Sequence, residues 1–385
     1  MKKRVLGTLM VVAMAATLLQ GCAAAVNSQA AVNTQQESAA EPSKEAADEA
    51  AQEVKEEAAE PAKGYDLSKS ELPETIKFAY INGGSYQTLT SHAGLFSDLE
   101  DAGVKIEFLA FESGRDINNA FASNSVDIGF YGSSPISLGI SGDLGYEAAL
   151  FPAITGSAEG LVAKNDSGVK EIKDLVGKTV AAPFASTSHY SLLQALILND
   201  IDPADVTILD MGPADIFAAW ERGDIDAAYV WNPELEKLKE NGTVLVDCAG
   251  LAEQGAAVGE ILVVNKEFGA KYHDAISAIV NGFLKANDIF LNDPDKAAQI
   301  LAEALVVSPE EAKSDLAGSV RFPAEEIASD AYVGTPGNVG KLAEIIKQTA
   351  DFHESQGNLD NVQDIEYFRS KVNPTYLADA LAHGR

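Results

Sequence analysis

From residue 75 onward, short apolar runs alternate with stretches in which apolar residues return every three or four positions. The runs at 75–80 (TIKFAY), 104–108 and 126–131 (VDIGFY) have the length and residue types of strands. The stretches at 88–101, 116–123 and 135–140 carry the helical period. The pattern restarts after a short helix at 169–175, with strand 179–182, helix 189–198, strand 206–209, helix 213–222 and strand 225–230. Beyond the apolar run at 260–264 the periodicity is helical, at 274–291, 294–305, 309–314 and 338–353. Such alternation predicts an α/β protein whose parallel sheets carry helices on both faces. Two series joined by apolar segments at 161–164 and 261–265, read as crossovers, predict two Rossmann-like lobes with a hinge and a ligand cleft, followed by a helical C-terminal part. Ligands of such folds sit at the carboxyl ends of strands, against helix N-termini.

The first 70 residues have a different texture. Lys2, Lys3 and Arg4 precede an apolar run over 5–19, too short to span a bilayer comfortably and suited to a secretory signal. The run ends in Leu19-Gln20-Gly21-Cys22, which resembles the lipobox of bacterial lipoproteins. The resemblance implies cleavage before Cys22 and a lipid on its thiol. Residues 23–63 are rich in Ala, Glu, Gln and Ser and cannot bury a core. As a coil of about 40 residues they would reach roughly 35 Å. The expected division is a signal peptide at 1–21, a lipidated Cys22 with a disordered tether at 22–70, a first lobe at 71–164, a second at 165–258, and a return to the first with C-terminal helices at 259–385.

The formal net charge of −30 argues against nucleic acid, which needs clustered Lys and Arg. With Cys22 in the targeting segment, Cys248 is alone, has no internal disulfide partner and reads as a small buried hydrophobe. The five His residues show no metal-ligand spacing.

Four segments carry candidate chemistry. In Gly132-Ser133-Ser134-Pro135 a strand ends, a Gly turns, and two hydroxyls precede a helix with Pro near its start. That is an ordinary capped helix or an anion site. Pro183-Phe184-Ala185-Ser186-Thr187-Ser188-His189-Tyr190 repeats the arrangement in the second series, so two helix starts could converge on one anion. Ser188 and His189 adjacent in sequence, with no orienting carboxylate evident, make a poor nucleophile and base. Trp231 ends the strand in Asp226-Ala227-Ala228-Tyr229-Val230-Trp231 and is placed to pack on a ligand, whereas Trp220 lies on a helix and reads as core. Glu159 and Glu260 each stand just before a predicted crossover; they read either as solvated hinge acids or as acids facing the cleft, where they need a cation partner.

Across these residues the chain resembles the type II periplasmic binding proteins of taurine, alkanesulfonate and nitrate ABC importers, with its nearest likeness among the taurine binders. The specific stretches are GSSP at 132–135, PFASTSHYSLL at 183–193 and AAWERGDIDAAYVWNP at 218–233. The resemblance implies a monomeric two-lobed binder without cofactor or catalysis that docks on a permease with a cytoplasmic ATPase. It implies that Ser133, Ser134, Thr187, Ser188 and His189 surround a sulfonate, that Trp231 packs on the carbon chain, and that Glu159 and Glu260 meet an ammonium. Glu260 stands where that family leads one to expect Asp, and Ser188 and Asn232 also depart from its pattern. The remaining readings are a binder of a plain alkanesulfonate, nitrate or other small anion, a sensor subunit, and an enzyme on the same fold resembling thiamine-pyrimidine synthases. The Cys-rich iron-binding motif associated with those enzymes is absent.

Overall fold

The computed structural model describes residues 65–81 and 85–383. The signal segment, Cys22 and the greater part of the tether lie outside them. Tyr65 and Leu67 are buried in the first core, and the Tyr65 amide donates to Asp98 Oδ2 at 2.8 Å. Residues 65 and 67, assigned above to the tether at 22–70, thus pack on the first core.

Eleven strands make two separate sheets: β1 (Thr75–Ile81), β2 (Lys105–Phe111), β3 (Ile128–Gly132), β4 (Tyr146–Thr155), β5 (Glu159–Lys164), β6 (Thr179–Ala182), β7 (Thr207–Asp210), β8 (Ala227–Trp231), β9 (Gly242–Asp247), β10 (Gly259–Asn265) and β11 (Ser319–Arg321). The first sheet has the order β11-β4-β10-β3-β1-β2 and the second β7-β6-β8-β5-β9. Both are mixed rather than parallel. β1 pairs in parallel with β2 and β3, and β6 with β7 and β8. β5 runs antiparallel to β8 and β9, and β10 to β3 and β4. Each is the first strand after the chain has passed from the other sheet, so it enters from the opposite end.

Residues 161–164 and 261–265, read above as crossovers, are thus interior strands. Their near-continuous apolar character marks strands buried on both faces. In β5, Leu161 and Ala163 face the core that includes Leu192, Leu196 and Tyr229, while Val162 faces the core around Trp220, Ile216 and Leu238. The actual passages are Gly156–Ala158 and the segment ahead of Gly259. They are tied together: Thr155 N donates to Val258 O at 2.9 Å, and the amides of Gly156 and Ala158 both donate to Gly318 O, at 2.8 and 3.2 Å. A Cβ on Gly318 would lie 2.5 Å from the Ala158 Cβ, so only glycine fits this junction.

The helix His273–Asn292 covers the first sheet. Its Phe283 stacks on Phe78 at 6.0 Å and on Tyr86 at 5.1 Å. Truncating such a buried ring costs about 3–5 kcal/mol. The stretch expected as one helix at 88–101 is two, Ser85–His92 and Ser97–Asp101, parted by a turn with Gly94 at φ +68°. The expected helix at 169–175 is a single 3₁₀ turn, Ile172–Leu175.

Candidate functional site

Strand register assembles the site. In the first sheet Arg321 on β11 stands opposite Ala153 on β4, Ala153 opposite Glu260 on β10, and Glu260 opposite Gly132 at the end of β3. Cross-strand neighbours share a face, so Arg321 and Glu260 rise from the same side with only a methyl group between them. Gly132 then feeds the helix Ser133–Ser141. In the second sheet Glu159, first residue of β5, pairs with Trp231, last residue of β8. The helix Thr187–Leu198 starts alongside, its first turn closed by Ser186, which accepts from His189 N at 3.2 Å.

Between the sheets lies a cavity of about 120 Å³, room for a small ligand only. Glu159, Glu260, Asp315, Arg321, Trp231 and Tyr86 are among the side chains that line it. Glu159 is 4% exposed, and both of its oxygens are engaged: Thr187 Oγ1 donates to Oε2 at 2.9 Å and Ser188 Oγ to Oε1 at 2.8 Å. Burial nevertheless pushes its carboxyl up to about 7, the two hydroxyl bonds tempering the rise. Glu260 is likewise pushed up to about 7 by burial, with Arg321 pulling it down and Asp315 and Glu159 adding to the rise.

The lobes touch around this cavity. A Cβ on Gly132 would lie 2.7 Å from Thr187 Cγ2, so the two helix starts already meet. Asn232 Nδ2 donates to Asp315 Oδ1 at 3.2 Å. Arg115 Nη1 donates to Asp210 Oδ2 at 3.0 Å, an exposed pair of small energetic weight. The Tyr190 ring meets Phe352 edge to face at 4.9 Å.

Of the eight residues singled out from sequence, Glu159, Thr187, Trp231 and Glu260 line the cavity. Ser188 is buried behind Thr187 on Glu159. Ser133 is fully buried and accepts from Gly259 N at 3.3 Å, and Ser134 Oγ sits 2.9 Å from His353 Nε2. His189 stacks on Phe184 at 4.2 Å, and burial pulls its imidazole down to about 4, so it is neutral near pH 7. The sequence suggested hydroxyls at one pole and acids at the other; here two of those hydroxyls hold one of those acids. Ser188 and His189 make no nucleophile–base pair, since the hydroxyl points to Glu159 and the ring lies on Phe184. Cys248 is fully buried beside Tyr229 and Ser191, and burial pushes its thiol well up. Among the described residues no cluster of three or more His, Cys, Asp or Glu is arranged for a metal ion. Sequence reasoning missed Arg321, Asp315 and Tyr86. The one available signal was a lone Arg inside the apolar run Val320-Arg321-Phe322, where an unpaired charge is costly.

The family described as NMT1/THI5 like matches over residues 93–297, more than half of the chain. The taurine-binding periplasmic protein of Escherichia coli (strain K12) is 38% identical over 196 residues, covering 51% of this chain and 61% of its own length. The chain thus matches somewhat under two thirds of that relative. A Bacillus subtilis (strain 168) protein named for aliphatic sulfonate binding is 25% identical over 296 residues, covering 76% of this chain and 84% of its own. Among solved structures, the alkanesulfonate-binding protein SsuA from Xanthomonas axonopodis pv. citri, bound to MOPS, superposes with a TM-score of 0.64 at 20% identity, over 76% of this chain and 96% of that one. That likeness shows a shared fold, the two-lobed α/β architecture built above.

Proposed function

The chain belongs to the NMT1/THI5-like family, and from that premise we propose that it is the extracytoplasmic solute-binding component of an ABC importer, taking up taurine or a closely related sulfonate. The observation that carries the proposal is the small interlobe cavity, in which a buried and a half-buried glutamate, a tryptophan at a strand end and a guanidinium converge. An ammonium fits between Glu159 and Glu260, beside the face of Trp231. Thr187 and Ser188 hold Glu159 in place for it. The starts of the helices Ser133–Ser141 and Thr187–Leu198 lie at the acids' end of the cavity, Gly132 opposite Glu260 and Thr187 on Glu159, which leaves the guanidinium end for the sulfonate. His189 packs behind the second of these starts. The binding step is capture alone, with the lobes closing about the junction at Gly156–Ala158 and Val258. The names of the taurine- and sulfonate-binding relatives support this reading. Cys22 carries the lipid that keeps a monomeric body near its permease, with the cytoplasmic ATPase beneath.

A second reading, a binder of a plain sulfonate or other small anion, is favoured by one feature: burial pushes both glutamates up to about 7, so below that pH they lose their charge while Arg321 keeps its own. Calorimetric titration with taurine, ethanesulfonate, sulfate and nitrate at pH 8 separates the two. The expected order is taurine first and ethanesulfonate well behind, with sulfate and nitrate weakest. Ethanesulfonate matching taurine selects the second reading. Failure of both sulfonates to bind removes the proposal.

A further inference from the structure

We propose that Arg321 is the residue that grips the anionic end of the ligand. This rests on reading the cleft as a sulfonate site, and it names a side chain that the motif-bearing segments of the sequence do not contain. Four observations carry it.

Arg321 is the only basic side chain among the described residues lining the cavity. Its guanidinium is held in place by packing: its central carbon lies 4.4 Å from the centre of the Tyr86 ring and 4.7 Å from that of Phe290. Tyr86 is itself fixed, its hydroxyl donating to Phe283 O at 2.7 Å. The guanidinium is also under-satisfied. Its Nε is buried and finds no hydrogen-bond partner, an expensive state for a charged donor. Finally, three of the hydroxyls expected from sequence to hold the anion are engaged elsewhere. Thr187 and Ser188 donate to Glu159, and Ser134 is bonded to His353.

The chemistry fits a tetrahedral oxyanion. A guanidinium presents a planar fork of donors that matches two oxygens of a sulfonate at once. The row Arg321–Ala153–Glu260 across the sheet then sets the spacing between the anionic and cationic ends of the ligand. With Glu260 two strands away and Glu159 across the cleft, a compact zwitterion has its anion on Arg321 and its ammonium between the acids. A ligand with an anion but no ammonium would leave two acids unmatched, and a cation alone would leave the guanidinium unmatched.

The test uses the full chain, with Arg321→Gln and Arg321→Lys, titrated with taurine and with ethanesulfonate, and thermal melts to establish folding. Arg321→Gln should weaken both ligands alike, by roughly ten- to a hundredfold, because the lost charge-assisted contact is to the group they share. Arg321→Lys keeps the charge without the fork and should recover part of that loss. Sulfonate affinities in folded Arg321→Gln equal to wild type would overturn the assignment while leaving the sulfonate reading intact. So would a loss confined to taurine, which would mean that Arg321 acts only through the acids. If Arg321→Gln does not fold, Arg321→Lys decides: weaker binding of both ligands with an unchanged melt supports the assignment, and unchanged affinity overturns it. A wild-type protein that binds neither sulfonate overturns the reading and this assignment together.

Discussion

The two lobes meet at Gly132 with no room for a side chain, and adding one methyl group there tests whether that contact belongs to the ligand-bound shape. The backbone at Gly132 has φ −62° and ψ 146°, a region open to alanine, so Gly132→Ala carries no conformational penalty of its own. Its Cβ, however, would sit 2.7 Å from Thr187 Cγ2, against the roughly 3.5–4.0 Å at which carbons rest. About 1 Å must be found. Thr187 cannot supply it cheaply, because its branched side chain is stiff and its hydroxyl is bonded to Glu159. The relief therefore comes from parting the lobes. Overpacking of this kind costs about 1–3 kcal/mol, and it falls only on the closed arrangement. Taurine affinity should drop by about five- to 150-fold, since each 1.4 kcal/mol is tenfold, with the unliganded melting temperature nearly unchanged. Thr187→Ser removes the offending methyl and keeps the hydroxyl, so Gly132→Ala/Thr187→Ser should regain most of the loss. Titration calorimetry reads the affinities, and small-angle scattering with and without ligand reads the separation of the lobes. Wild-type affinity in Gly132→Ala, or a double variant as weak as the single, would refute the reasoning.

Three further outcomes follow from the same geometry. Glu260→Gln should lower taurine affinity by roughly ten- to a hundredfold while ethanesulfonate holds or gains, because an ammonium partner is lost and a buried acid is relieved; equal losses for the two ligands would remove Glu260 from the cationic end. Glu159 and Glu260 have folded-state values near 7, above the ordinary 4.5, so the folded protein holds more protons than the unfolded chain between those pH values, and their contribution to stability declines as pH rises through that window. His189 and His353, pulled down to about 4 by burial, lose stability in the opposite direction as pH falls, so the comparison is made between wild type and Glu159→Gln/Glu260→Gln: the wild type should lose more melting temperature from pH 5 to pH 8, and parallel profiles would contradict the burial argument. Cys22→Ser should leave the membrane fraction in cell fractionation, and an unchanged distribution would end the lipid-anchor reading.

Much of this architecture was legible in local sequence, where local sequence decides it. The strand Thr179–Ala182 and the helices Pro213–Arg222 and Pro294–Leu305 fall where the apolar period and the Pro and Gly signals put them. The long strand β4 did not announce itself. It carries Glu147 and Pro152 among its apolar residues, and Glu147 is tolerated in the interior only because Tyr376 Oη and Asn373 Nδ2, more than two hundred positions away, donate to it at 2.8 and 2.7 Å. The mixed strand directions were likewise invisible, since β5 and β10 look like any buried strand until one knows from which side they enter. In the site, Glu159 and Trp231 could be found because Glu159 opens, and Trp231 closes, a recognisable apolar run. Arg321 could not, because its meaning comes from a row of residues on three strands that are far apart in the chain.

The way the two lobes interleave along the chain also fixes an order of assembly. β5 through β9 are contiguous, so the second sheet has every strand it needs once residue 247 has been synthesised. The first sheet does not. β3 and β4 are made early, yet the strand that joins them is β10, and it arrives only at Gly259–Asn265. Until then each presents a row of unpaired backbone groups to any passing chain, the usual template for misassembly. The lobe that begins first is therefore the lobe that finishes last. The contacts that complete it are long in sequence and slow to form. A chain cut short before residue 259 would carry a finished second lobe on a first lobe with its sheet still split.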